Sequence, residues 1–283
     1  MSRLGLFAVA IAVVFGAAYV LGDAADPDID DGAANAHGDS PAHREDAHQA
    51  GAATSLVVDD ARFESGERAA LTFRVVDRDA NTVRDFDVEH ERAMHVIAVR
   101  RDLTHYQHVH PRRTPDGGWT VDIAFPEAGP HRVFADFVAA GTPQTLGADI
   151  EVTGRYAARP LPAPSAVADA DAGDGYSVEV AATGSERRFT VRKDGVTVED
   201  VEPYLGARGH LVALREGDLA FQHVHPKDRA TEGREIRFDV ALPGSARHRL
   251  FLQFKHDGEV HTAAFTERAR SAEQPPVEAG HGH

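Results

Sequence analysis

The feature that most constrains the fold of this chain is an internal repeat. The segment YQHVHP at residues 106–111 recurs as FQHVHP at residues 221–226. The similarity extends backwards, where MHVIAVRRDLTHYQHVHP aligns with GHLVALREGDLAFQHVHP, and forwards, where FPEAGPHRVFADF aligns with LPGSARHRLFLQF. A repeat of this size predicts two related domains in tandem. The 283 residues of the chain leave room for both to bury a core.

The N-terminal part of the chain is predicted to lie outside these domains. Residues 4–22 are apolar and uncharged and follow Arg3, so residues 1–22 are predicted to form a hydrophobic helix, either a signal peptide or a membrane anchor. Residues 23–54 are rich in Asp, Ala and His and are predicted to be a disordered stalk. We therefore expect a single-pass membrane protein with extracytoplasmic domains, or a secreted protein if the first segment is cleaved.

Composition also sets the domain boundaries. Residues 155–173 combine prolines with small and acidic residues, which is typical of a linker that allows relative motion. Residues 269–283 are predicted to be a disordered tail. The first domain is then residues 55–154 and the second is residues 174–268.

The apolar residues inside each domain recur at strand-like spacing. Examples are LTFRVV and WTVDIAF in the first domain, and RFTVR and IRFDVAL in the second. Turn residues separate such segments at short intervals, which is typical of a β-sandwich. The predicted fold class is therefore all-β, with two tandem β-sandwiches after the N-terminal hydrophobic helix.

Within each repeat, two strands carry histidines. If Arg101 and Asp102 form a two-residue hairpin loop, His95 lies directly opposite His108, and His110 shares their face. The equivalent loop of Glu216 and Gly217 gives the same arrangement in the second repeat. Three imidazoles on one face can converge on one cation, because each offers a nitrogen ligand. The predicted metal ligands are the first trio, His95, His108 and His110, and the second trio, His210, His223 and His225.

Two further histidines are candidates for a fourth ligand. His131 and His248 occupy equivalent places in the repeats, each followed by an arginine. The competing interpretation of all these residues is structural, as partly buried polar side chains. Three neutral imidazoles on one face would be a costly way to build a core, so we favour metal binding.

Composition limits the metal and the partners. The chain has no cysteine, and imidazole without thiolate favours Cu(II), with Zn(II) as the alternative. The formal charge of −15 argues against nucleic acid as a partner. The expected partners are a metal ion, the membrane through the single N-terminal segment, and a metal transporter or other extracytoplasmic protein. Histidines in the stalk and tail are predicted to bind divalent ions loosely.

The histidine motifs also carry a resemblance to known proteins. MHVIAVRRDLTHYQHVHP followed by PHRVFADF resembles a group of secreted or membrane-anchored bacterial proteins, frequent in actinobacteria, that share Met-His-x-x-x-Val-Arg-Arg-Asp-Leu and His-x-His-Pro. The second repeat lacks the methionine and one arginine of this pattern. The resemblance implies immunoglobulin-like β-sandwiches and an association with heavy metals or copper.

Three classes of function are compatible with these features. The leading hypothesis is an extracytoplasmic metal-binding protein, with one three-histidine site per domain, that buffers or delivers copper. The alternatives are a surface interaction module whose histidines are structural, and a metal-dependent enzyme. An enzyme is disfavoured because the two repeats share no carboxylate beside the histidines; Asp136, for example, aligns with Gln253.

Overall fold

The computed structural model describes residues 54–171, 175–222, 224–226 and 234–269. These residues form an all-β structure of two immunoglobulin-like sandwiches, which confirms the predicted fold class. The predicted hydrophobic helix lies outside the described residues, as do the stalk apart from Thr54 and the tail apart from Ala269. Within the described ranges, we find no helix long and apolar enough to cross a membrane.

The first sandwich is built from two sheets, one with the strand order β1-β3-β7-β6 and one with the order β2-β9-β8-β4-β5. β2 joins the second sheet parallel to β9, and the other pairs in this sandwich are antiparallel. The strands are β1 (Thr54–Val58), β2 (Arg62–Glu64), β3 (Glu67–Asp77), β4 (His95–Arg100), β5 (Gln107–Val109), β6 (Arg112–Arg113), β7 (Trp119–Phe125), β8 (Gly129–Ala139) and β9 (Thr142–Thr153).

The second sandwich repeats this plan. One sheet has the order β10-β11-β12-β17-β16, with β13 on β12, and the other has the order β15-β14-β18-β19. The latter matches β5-β4-β8-β9 of the first repeat. The strands are β10 (Val167–Asp169), β11 (Tyr176–Thr183), β12 (Glu186–Lys193), β13 (Val196–Thr197), β14 (His210–Arg215), β15 (Phe221–Gln222), β16 (His225–Pro226), β17 (Glu235–Asp239), β18 (Arg247–His256) and β19 (Glu259–Arg268).

Alternation along the strands separates an inner from an outer face of each sandwich. On β4, Val96 and Ala98 point into the first core, where Trp119 and Phe137 also pack. Side chains at odd positions of β4 point the opposite way, because successive residues face opposite sides of a sheet. Ile97 on that outer face is nevertheless only 1% exposed. β4 is therefore covered on both faces.

The outer face of β4 is covered by the second sandwich. Both sandwiches belong to one compact unit. An apolar cluster, here called the interface cluster, joins the β4–β8 face of the first sandwich to the β14–β18 face of the second. Its buried members are Ile97, Val99, Leu103, Phe134, Leu161, Val212, Leu214, Leu219 and Phe251.

Aromatic contacts across this interface are reciprocal. Tyr106 of the first repeat stacks on Phe251 of the second, with ring centroids 4.0 Å apart and an interplanar angle of 7°. The equivalent residue of the second repeat, Phe221, contacts Phe134 of the first at 5.5 Å. Equivalent elements thus contact each other crosswise, as the two subunits of a two-fold symmetric dimer do.

The predicted linker contributes to the fold. Leu161 belongs to the interface cluster, and the Arg159 guanidinium forms an ion pair with Glu127 of the first sandwich. Val167–Asp169 forms β10, which pairs with β11, so the second sandwich begins earlier than residue 174. The sequence pattern identified a connector but not the contacts that hold it against both domains.

The hairpin register differs from the prediction by two residues. In the structure His108 pairs with Ile97 rather than with His95, and residues 101–106 form the loop. Leu103 adopts a left-handed conformation with φ 63°, while the buried Arg100 side chain binds Asp102 at 2.8 Å. Burial would raise the pKa of Asp102, but hydrogen bonds from Arg100, Thr104 and the Arg159 backbone together outweigh it, and the pKa falls to about 2. This ion pair stabilises a longer loop than a two-residue turn.

One contact in the interface gives a prediction about stability. The Tyr106 hydroxyl is buried without a hydrogen-bond partner among the described residues, and the second repeat has Phe221 at the equivalent place. Because an unsatisfied buried hydroxyl is costly, we expect Tyr106→Phe to stabilise the protein by about 1 kcal/mol. Thermal unfolding should show a rise in Tm of about 2–4 °C. Phe221→Tyr is the matched control and should lower Tm; a lower Tm for Tyr106→Phe would contradict the prediction.

Candidate metal centre

The first trio lies on the outer face of the first sandwich, at the edge of the interface cluster. His95 begins β4, His108 lies in β5, and His110 follows β5. A register shift of two residues leaves every side chain on its original face, because the side-chain period of a strand is two. The three histidines therefore share a face, although the predicted pairing was wrong. His95 and His108 are 4% and 9% exposed, and His110 is half-buried.

The ring nitrogens of the first trio converge. Among the residues that the structure describes, His95, His108 and His110 form a group whose ligand atoms all lie within 4.8 Å of one another. His95 Nδ1 lies 3.1 Å from His108 Nε2 and 3.2 Å from His110 Nε2. Nitrogens bound to one ion at 2.0–2.1 Å are separated by about 2.9–3.4 Å for angles between 90° and tetrahedral. The two distances match this separation.

The outer nitrogens of two of these rings fix where their protons lie. His95 Nε2 faces the Glu89 backbone carbonyl at 3.2 Å, and His108 Nδ1 faces the Gln253 carbonyl oxygen at 2.7 Å. Both partners are acceptors, so each of these nitrogens carries the proton of a neutral ring. His95 Nδ1 and His108 Nε2 then face each other as bare lone pairs. Two acceptors at 3.1 Å repel each other. A proton on His110 Nε2 can satisfy His95 Nδ1 but leaves the lone pair of His108 Nε2 without a donor, whereas a cation between the rings would be bound by both lone pairs.

Burial keeps these rings neutral. It lowers the pKa of His108 to about 3 and that of His110 to about 4. Burial also lowers the pKa of His95, although the hydrogen bond to Glu89 and the charge of Asp136 act in the opposite direction. A neutral imidazole is the form that binds metal, so the trio is ready to coordinate an ion near neutral pH.

The second sandwich contributes directly to this centre. His210, the first residue of β14, stacks on His108 with ring centroids 4.6 Å apart and lies 5.8 Å from His95 in a nearly parallel orientation. Burial lowers its pKa well below the ordinary value. His210, predicted as a ligand of a separate site in the second sandwich, therefore lies beside the first trio, and the second three-histidine site itself stays a prediction. His223 and the side chain of His225 lie outside the described residues.

The two candidate fourth ligands lie elsewhere. His131 pairs with Arg100 at the far end of β4, and its ring packs against Phe125 inside the first core. His248 pairs with Arg215 and shares the inner face of β18 with Leu250. Both histidines are completely buried on the core side of their sheets, so neither can reach the first trio. The prediction failed because both residues alternate with core positions on their own strands.

Three residues near the centre were not predicted as part of it. His90, in the segment before β4, lies 6.2 Å from His95 and 6.1 Å from His210 between ring centroids. Asp136 pairs with His95 across β4 and β8, and its carboxylate accepts a hydrogen bond from Thr145. Gln253 pairs with His210 in the same way. The alignment of the two repeats could have indicated two of these residues, because Asp136 and Gln253 occupy equivalent positions in it.

Comparison with known proteins places the chain in a family. A family model described as Domain of unknown function (DUF8832) matches twice, over residues 48–154 and 171–271, and so covers more than half of the chain. No curated protein of similar sequence was found.

The similar solved structures have low sequence identity to this chain. The Escherichia coli adhesin FdeC is 14% identical, with a TM-score of 0.27 over 75% of this chain and 63% of FdeC. The Yersinia pseudotuberculosis adhesin InvE is 13% identical, with a TM-score of 0.23 over 75% of this chain and 58% of that one. Bovine butyrophilin is 11% identical, with a TM-score of 0.22 over 78% of this chain and 100% of its own. This chain thus spans less than two thirds of either adhesin structure. The two matches of the family model coincide with the two sandwiches, and the chain belongs to the family described as Domain of unknown function (DUF8832).

Proposed function

We propose that the protein binds a transition-metal ion outside the cytoplasm through His95, His108 and His110. The observation that carries the proposal is the approach of His95 Nδ1 to His108 Nε2 at 3.1 Å, in two rings whose outer nitrogens each face an acceptor. An all-imidazole ligand set without thiolate favours Cu(II), with Zn(II) as the alternative. Met94 packs in the core of the first sandwich, on the opposite face of β4, so its thioether does not contribute.

The role that fits such a site is binding rather than turnover. The Asp136 carboxylate near His95 is matched by an uncharged amide, Gln253, in the second repeat. The trio is also closely packed, with His95 and His108 almost completely buried. A buried ion held by several imidazoles is suited to buffering or storage, and its transfer would require the site to open.

A second candidate function is a surface interaction module with structural histidines. The interface cluster and the reciprocal aromatic contacts support it, because they hold the two sandwiches together by apolar burial. In that case the imidazoles only fill the edge of the interface. Against it stands the cost of the buried lone pair on His108 Nε2, which faces the lone pair of His95 Nδ1 and is not satisfied by a proton on His110 Nε2.

Direct titration tests the proposal. The full chain, purified without a polyhistidine tag and with His37, His43, His48, His281 and His283 changed to Gln, is titrated with Cu(II) and Zn(II) against a competing chelator. We expect at least one tightly bound ion per chain and an electron paramagnetic resonance spectrum of Cu(II) with several nitrogen ligands. Absence of tight binding for both ions, or a spectrum dominated by oxygen ligands, would favour the interaction module.

A further inference from the structure

The metal centre is not confined to one sandwich, because the second domain supplies two of its side chains. His108 of the first sandwich binds Gln253 of the second through a 2.7 Å hydrogen bond between Nδ1 and Oε1. Gln253 is 6% exposed, and its amide nitrogen donates to Thr262 of β19. The proton position on His108, and hence the lone pair on its Nε2, is thus set by the neighbouring domain.

His210 provides the second contribution. Its ring is stacked on His108 and lies nearly parallel to His95, with an interplanar angle of 7°. Its backbone is fixed by β14, whose next outward residues, Val212 and Leu214, belong to the interface cluster. Side-chain rotation alone can therefore change where the His210 ring nitrogens point. The ring centroid of His210 lies 4.6 Å from that of His108. His90 is farther from the trio, with its ring centroid 6.2 Å from that of His95.

We propose that His210 is the fourth ligand of the centre, so that metal binding clamps the two sandwiches together across their interface. The inference rests on the proposed function, since it needs an ion at the first trio. Three ligands then come from the first domain and one from the second. All four ligands are in place only when the two domains are docked. The bound ion therefore stabilises the docked arrangement, as any ligand stabilises the one state that it binds.

The affinity part of the test compares single substitutions in the full chain used for titration. His210→Ala should lower the affinity for Zn(II) and Cu(II) by at least the roughly 10–100-fold that loss of a supporting group costs at metal sites. His90→Ala is the matched control, a neighbouring half-buried histidine, and should leave the affinity within about threefold. An equal or larger loss for His90→Ala with none for His210→Ala would assign the fourth position to His90 and overturn the proposal.

Hydrogen–deuterium exchange of the intact chain measures the clamp itself. Adding Zn(II) should slow exchange in β4 and β5 and also in β14 and β18, because both domains then hold the ion. In His210→Ala, protection should be restricted to β4 and β5. Exchange in metal-free wild type and His210→Ala is compared first, so that a folding defect is seen as faster exchange before any metal is added. His210→Asn, a smaller polar replacement, then repeats the comparison.

The outcomes separate the two proposals. If the wild-type chain binds the ion tightly and only the first sandwich becomes protected, the clamp is overturned and the three-histidine site stands. If the wild-type chain binds no ion tightly, the proposed function fails and the clamp fails with it. Protection of both sandwiches in the wild-type chain and in His210→Ala alike would show coupling through the interface cluster without His210 as a ligand, which also overturns the assignment.

Discussion

Replacing His108 and His110 together by alanine should lower the affinity for Cu(II) by at least about 1000-fold, the largest effect that we expect of any change in this protein. Loss of a group that only supports a ligand costs about 10–100-fold in metal affinity, and this variant loses two direct ligands. A single ring, His95, then remains of the first trio. Competition titration with a chelator of known affinity measures the change.

The control for this variant is His105→Gln. His105 lies in the same hairpin, but its ring faces the Glu127 carboxylate at 3.3 Å rather than the trio. We expect wild-type affinity for it. If the double variant keeps wild-type affinity and stoichiometry but melts at a lower temperature, the histidines are structural, and the interaction module becomes the better assignment.

Acid should destabilise the metal-free protein well above the pH at which its carboxylates titrate. An imidazole of the unfolded chain titrates near 6.5, whereas burial lowers the folded pKa of His108 to about 3 and of His110 to about 4. Between these values the unfolded state binds more protons than the folded state. Stability is therefore fully present above about pH 6.5 and falls as the pH decreases towards the folded pKa values.

The size of this effect follows from the number of such groups. Each imidazole that stays neutral only in the folded state contributes up to about 1.4 kcal/mol per pH unit. His95 and His210 act in the same direction, as do the core histidines His131 and His248, because burial lowers their pKa values too.

Urea unfolding in the presence of a chelator, from about pH 7.5 to about pH 5, measures the slope of stability against pH. The window lies above the range in which ordinary carboxylates titrate. The His108→Ala, His110→Ala double variant should show a shallower slope, and the difference should approach two protons at the acid end of this window. Equal slopes for the two proteins would mean that His108 and His110 take up protons in the folded state as they do in the unfolded state.

The sandwich fold was predictable because it depends on local regularities. Alternating apolar residues and regularly spaced turns define strands, and the repeat tests each assignment twice. The common face of the first trio was predictable for a related reason. A register error of two residues leaves every side chain on the same face of the sheet, because successive residues alternate between the two faces. His95, His108 and His110 therefore share a face whether the hairpin loop has two residues or six.

The loop length and the interface could not be predicted in the same way. The longer loop depends on a buried ion pair between Arg100 and Asp102. In the sequence, these residues look like part of an ordinary exposed turn. The interface depends on apolar residues at outward positions, such as Ile97 and Val212. The relevant signal was the unbroken apolar run in HVIAVR and HLVALR, since a strand with one face in water alternates more strictly.

The reciprocal packing of Tyr106 on Phe251 and of Phe221 on Phe134 has a consequence for how such a protein can work at low abundance. Two separate copies of one sandwich would have to meet in solution before they could share an ion, and dilution would separate them. Here the connector makes that encounter intramolecular, at an effective concentration on the order of millimolar. One covalent chain also lets each half specialise, as Asp136 and Gln253 have done opposite their histidines. A symmetric pair of identical subunits has no access to that division of labour.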